Sequence, residues 1–144
     1  MQTYSFTDCS LVLSHPSLGM LTVIGKGIGS ISINMTGDRT AMDVAADGRV
    51  MVSKIKDRRA TATVQILQAS EVNRDLLKWY NYLETAPASE WAAASGVLNA
   101  PVTGEQIVMT DIAFQKLPDR SYGAQGNQQQ TWNLMIADCQ QNTI

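Results

Sequence analysis

The sequence predicts a mainly β, mostly antiparallel domain with one α-helix packed on it at about residues 70–84. Three observations predict it. Several segments alternate apolar and polar residues with a period of two, as a sheet with one buried face requires. Asp47-Gly48 stands between two strand-like runs and is a favoured pair for a tight hairpin turn. Only one segment places apolar residues at helical spacing, so strands do not alternate with helices as a parallel α/β sheet demands.

From Tyr4 to Val23 the pattern is strand-like and broken once, at His15-Pro16-Ser17. Pro16 biases His15 to an extended or turn conformation, and His15 is read as a loop residue. Gly25, Gly27 and Gly29 form a turn, after which Ile31, Ile33 and Met35 alternate with Ser30, Ser32, Asn34 and Thr36. Residues 41–55 read as a hairpin whose two-residue Asp47-Gly48 loop places Val44 opposite Met51 and Ala45 opposite Val50. Polar and charged flanks, 36–40 and 54–59, make the whole 37–59 segment a projecting element. Residues 60–68 are the cleanest strand, with Ala62, Val64 and Ile66 on one face and Thr61, Thr63 and Gln65 on the other.

Ser70 is the expected helix N-cap, with Glu71 in the first turn where a negative charge meets the positive end of the dipole. Val72, Leu76, Trp79, Tyr80 and Leu83 share one face, Arg74, Lys78 and Asn81 the other, and Pro87 ends the helix. Residues 85–104 are small, punctuated by Pro and Gly, and read as one long irregular loop. Strands are expected again at 106–110, 112–117 and 131–138, with a frayed tail beyond.

At 144 residues the chain is read as a single domain. A net charge of -2 argues against a protein that coats nucleic acid. Charged residues are 17%, against about 25% in a typical domain. The surface is instead rich in Thr, Ser, Gln, Asn and Ala, which suits burial against further copies. No apolar run approaches the roughly 18 residues of a membrane span. The start lacks a signal peptide, which points to synthesis in a cytoplasm. Cys9 and Cys139 lack metal-ligand spacing and are read as reduced, buried thiols.

Each chemical motif has a bland explanation. Gly25-Lys26-Gly27-Ile28-Gly29-Ser30 is not a phosphate loop, because a strand follows it and the Walker Ser or Thr is absent. The basic run Lys54, Lys56, Arg58 and Arg59 has no interleaved aromatic residues for stacking bases. It is read as a solvated strand end or a partner for another subunit. Trp91, in the long loop, is the tryptophan read as free to contact a partner. The carboxylates are scattered, and no catalytic, metal or cofactor-binding residue is singled out.

The order of elements, with AADGRVMVSKI (45–55), ATVQILQASEVNRDLLKWYN (62–81) and AFQKLPDRSYG (113–123), resembles the tail-tube proteins of contractile-tailed bacteriophages. The matching positions are Ser70 and Asn73, then Phe114, Lys116, Leu117, Pro118, Asp119 and Tyr122, within about residues 4–139. The alanine-rich stretch 85–99 departs from that pattern.

The resemblance implies two packed antiparallel sheets with a flanking helix, a tail-tube-like β-sandwich or half-barrel, in which six copies form a ring whose inner strands join into one β-barrel. Rings would stack around a tape-measure protein, inside a sheath, between terminator and baseplate proteins, and DNA would pass down the bore without specific binding. No cofactor is implied, and the place of work is the virion, after assembly in the host cytoplasm. Asp47, Gly48 and Arg49 at the hairpin tip, the basic run and the 85–104 loop with Trp91 are then the expected contacts between subunits. The basic run is expected to face ring or sheath contacts rather than the bore, and a Pro within 60–68 to abolish ring closure. The alternatives are the tube of a type VI secretion system or a phage-derived bacteriocin, a β-barrel nucleic-acid module of the OB type, and a small enzyme.

Overall fold

A computed structural model describes residues 9–23, 28–101, 103–120, 122, 124 and 128–143. The expected strand residues 4–8 and the turn glycines Gly25 and Gly27 lie outside them. The order is β1 (Ser10–His15), β2 (Gly19–Val23), β3 (Ile28–Met35), β4 (Thr40–Val44), β5 (Val50–Lys54), β6 (Ala60–Leu67), α1 (Glu71–Thr85), α2 (Ala88–Trp91), β7 (Ala94–Ala100), β8 (Glu105–Phe114) and β9 (Gln129–Thr143). Seven strands make one antiparallel sheet in the order β2-β1-β7-β8-β9-β6-β3, and β4 and β5 pair separately.

Chain connectivity forces this sheet to curl. β2 and β3 occupy its opposite edges, yet only residues 24–27 join them. Five Cα steps reach at most about 19 Å. Six strand spacings in a flat sheet would span about 29 Å. The edges therefore swing toward each other, giving a half-barrel. The long strands bend where the layers meet. On β8, Thr110 and Asp111 are both exposed between buried Met109 and Ile112, and Asp111 takes φ 58°. Asp tolerates that left-handed conformation better than most residues. Opposite on β9, Ala137 and Asp138 intervene between buried Ile136 and Cys139. The break expected between 110 and 112 is thus a bend within one strand, and strand pairing stops at Phe114 rather than Leu117.

The concave side holds the core: Leu11 and Leu13, Leu21 and Val23, Ala62, Val64 and Ile66, then Met109, Ile112, Phe114, Trp132, Leu134 and Ile136. Helix α1 closes one end. Ser70 caps it as expected, its Oγ accepting from the Asn73 N–H, and Leu76, Trp79 and Leu83 are buried. Asn73 is buried too, because its Oδ1 accepts the indole N–H of Trp132 at 2.8 Å while its Nδ2 donates to the Gln68 carbonyl at 3.0 Å. Aromatic edges tie the helix down: Tyr80 meets Phe114 at 5.7 Å and Phe114 meets Trp132 at 5.5 Å between centroids.

Three expectations need correction. Residues 85–104 are not an irregular loop but contain α2 and β7, an interior strand paired with both β1 and β8. The tail is not frayed, since Gln140–Thr143 pair with Glu105–Val108. His15 is a buried strand residue, 3% exposed, and not a loop residue. Its Nδ1 accepts from the Ser17 N–H, and its Nε2–H therefore donates to the Glu90 carbonyl at 3.0 Å.

Candidate functional site

Among the described residues no group of three His, Cys, Asp or Glu side chains could hold a metal ion. Among them, too, no helix is long and apolar enough to cross a membrane. The features that call for a function are surfaces.

The first is the hairpin β4–β5, which continues outward from β3 and β6. Backbone bonds from Thr36 N–H to Arg59 O and from Ile55 N–H to Arg39 O, both 2.9 Å, form its stem. Its register is Val44 opposite Val50 and Asp43 opposite Met51, one residue off the expectation. The turn is a three-residue loop: Ala45 N–H bonds Arg49 O, Gly48 N–H bonds Ala45 O, and Gly48 has φ 86°. A glycine in the left-handed region is what such a loop needs at its last position. Every residue of both strands is exposed. The pairs Met42–Val52 and Val44–Val50 put four apolar side chains, 57–71% exposed, on one face. An isolated two-stranded hairpin is marginal in water. This one extends β3 and β6 and leaves its apolar face uncovered.

The expected contact residues divide at this hairpin. Asp47 and Arg49 form an exposed ion pair of 3.4 Å at the tip, beside Gly48. Arg58 and Arg59 are spent within the chain. Arg58 pairs with Asp138 at 2.9 Å, joining the stem to β9. Arg59 grips Asp57 with two side-chain bonds of 2.8 and 2.9 Å. These bonds, with one from the Arg59 N–H, hold the Asp57 carboxyl at a pKa of about 2. Lys54 and Lys56 have no ion-pair partner among the described residues. Trp91 is not free in a loop: it is half-buried on α2 and meets the Tyr80 ring at 5.9 Å. Beside it the Glu90 carboxylate accepts from Ser17 Oγ at 2.6 Å and Tyr82 OH at 3.1 Å. The bond from Ser17 is the main reason its pKa is lowered.

The second surface is the edge formed by β3, for which no outer neighbour exists among the described residues. Thr36 and Arg59 are a hydrogen-bonded pair, and antiparallel pairing alternates. The backbone groups of Ser32 and Asn34 therefore point to β6, and those of Ile31, Ile33 and Met35 point outward. β3 carries no charge and no proline, nor does the opposite edge β2. Soluble proteins normally protect such edges.

The third surface is the convex side of the sheet. Ser30 and Ser32, Thr61, Thr63 and Gln65, and Thr131 and Asn133 form a strip without a charged side chain across β3, β6 and β9. Thr63 Oγ1 donates to Asn133 Oδ1 at 3.1 Å and Ser30 Oγ to Gln65 Oε1 at 3.3 Å. The alternation of 60–68 made this strip legible in the sequence. The edges were not legible, because strand order is not a local property.

Residues 1–143 match the family model described as the bacteriophage PhiTE tail tube protein. The chain belongs to the PhiTE tail tube family. Its role is accordingly structural, as a tail-tube protein, and not enzymatic. No curated protein is a significant match. Solved structures share the fold at low identity. The sheath-tube complex of an extracellular contractile injection system matches with a TM-score of 0.57 and 12% identity over 93% of this chain and 88% of that one. The anti-feeding prophage tube-terminating cap gives 0.61 and 10% over 100% and 93%. The anti-feeding prophage baseplate gives 0.60 and 10% over 99% and 97%.

Proposed function

We propose that six copies of this tail-tube protein close into a ring by joining the open edges of their sheets, and that rings stack into the hollow tube of a phage tail. The open, uncharged edge of β3 carries this reading. Eight residues without a blunting charge or proline are a template for a neighbouring strand, and closing a barrel across subunits removes the edge. The convex strip then lines the bore; its own residues carry no charge, and Lys116, Asp119 and Arg120 border it beside Thr131 and Asn133. DNA carries one negative charge per roughly 1.7 Å of axis, and a lysine- or arginine-lined wall would hold it. A wall of hydroxyls and amides lets it slide.

The basic stem and the hairpin stay outside the bore, at ring and sheath contacts, where Asp47, Gly48, Arg49, Lys54 and Lys56 are accessible and Arg58 and Arg59 are exposed but already paired within the chain. Partners are the chain itself, a sheath, a tape-measure protein and the terminator and baseplate proteins, in a virion assembled in the bacterial cytoplasm. The same fold in an extracellular contractile injection system and an anti-feeding prophage keeps one second reading: the tube of such a phage-derived device.

Two proline substitutions test ring closure. Met35→Pro removes an outward N–H and leaves the β3–β6 ladder intact; Asn34→Pro removes a ladder bond. The reading expects Met35→Pro to stay folded and lose rings, while Asn34→Pro loses stability as a monomer. Rings formed normally by Met35→Pro would refute edge joining. A Pro within 60–68 is no test of closure, correcting that expectation: β6 lies inside the sheet between β9 and β3, so the damage falls on the fold.

A further inference from the structure

We infer that the apolar face of the β4–β5 hairpin seats in the open end of a neighbouring copy's core, between its β3 and its β7–β8 corner, with Lys54 of the hairpin against Glu105 of the receiving copy. This rests on the tube reading and adds to it the receptor surface. The donor face is Met42, Val44, Val50 and Val52, and Lys54 lies on the same face toward the stem, two residues beyond Val52. No described residue of its own chain covers that face, since all four apolar residues are more than half exposed.

Three of the open concavities among the described residues differ in their linings, and one suits it best. One, at the hairpin's own base, carries Arg39 and Arg58 and would repel Lys54. Another is lined by Lys116, Asp119, Arg120, Gln129, Thr131 and Asn133, too polar for four aliphatic side chains. The third, about 290 Å³, is walled by Ile31, Ile33, Leu98 and Ile107, with Glu105 among its lining residues. Here the curled sheet brings β3 opposite β7 and β8, and Ile31, Ile33 and Leu98 stay only partly buried. Glu105 has no ion-pair partner among the described residues. A mostly apolar lining that includes Thr103, Gln141 and one carboxylate therefore meets an apolar face with one ammonium.

Donor and acceptor are different surfaces of one chain. A contact between them is heterologous and leaves one of each unused on every pair, so it propagates into rings or stacks instead of stopping at a dimer.

Cross-linking tests this on the full chain. In a Cys9→Ser background, protein carrying Val50→Cys is mixed with protein carrying Leu98→Cys and mildly oxidised. A disulfide-linked dimer is expected only in the mixture. Lys54→Glu should weaken assembly by roughly two- to five-fold, as a solvent-accessible ion pair allows, and the exchange Lys54→Glu with Glu105→Lys should restore it. Val50→Asp with Val52→Asp should abolish assembly without changing the circular dichroism of the fold. Tubes that assemble from the mixture with no disulfide between the two cysteines overturn the seating and leave the tube reading standing. Failure of the unmodified protein to assemble at all overturns both.

Discussion

The Asn73–Trp132 bond offers the sharpest test of how the helix is held to the sheet. Both side chains are buried, 2% and 0% exposed, and joined at 2.8 Å. Asn73→Leu puts an apolar side chain of similar size in its place, strands the indole N–H and takes a donor from the Gln68 carbonyl. A buried donor left unpaired costs about 1–3 kcal/mol and a lost bond about 1 more, so the variant should lose about 2–4 kcal/mol. In a domain of this length that lowers Tm by about 6–12 °C.

Urea and thermal unfolding, at concentrations too low for assembly, measure it. The double variant Asn73→Leu, Trp132→Phe removes both polar partners. It should be less destabilised than the two single losses added together, by a coupling of about 1–3 kcal/mol. An Asn73→Leu protein within about 0.5 kcal/mol of the parent, or strict additivity, would refute the reasoning.

Two further outcomes follow from close contacts. A Cβ at Gly96 would stand 2.9 Å from Leu13 Cδ2 and 3.1 Å from the Val12 carbonyl, inside the β1–β7 pair. Gly96→Val should therefore cost about 1–3 kcal/mol by overpacking, measured by urea unfolding; a neutral change would contradict the packing. Asp57 has a folded pKa of about 2 against 3.8 for the free group, so the Asp57–Arg59 brace stabilises the stem fully above the higher value and is lost as pH falls toward the lower. Carbon-detected NMR should find the Asp57 carboxyl titrating near 2, and Arg59→Ala should return it to the ordinary range.

Legibility followed how local each signal was. The N-cap Ser70, the apolar stripe through Leu76, Trp79 and Leu83, and the alternation of 60–68 are set by near neighbours and stood in the sequence. β7 did not, because Ala94, Ser95 and Gly96 are small for the sake of close packing and so give no hydrophobic period. Gln140–Thr143 looked like a tail since its side chains are polar, although its backbone completes a ladder with β8. His15 was hidden for another reason: burial beside Trp79 and the carbonyl of Glu90 depends on residues far along the chain. The expected contact residues were found as a charged cluster, but only the structure separates Arg58 and Arg59, held by Asp138 and Asp57, from Lys54 and Lys56.

The most direct measurement is negative-stain electron microscopy of the purified protein, with sedimentation velocity across a wide concentration range. The account predicts rings of six copies that stack into hollow tubes as concentration rises. A single sedimenting species of one chain at every concentration, with no rings on the grid, would contradict it.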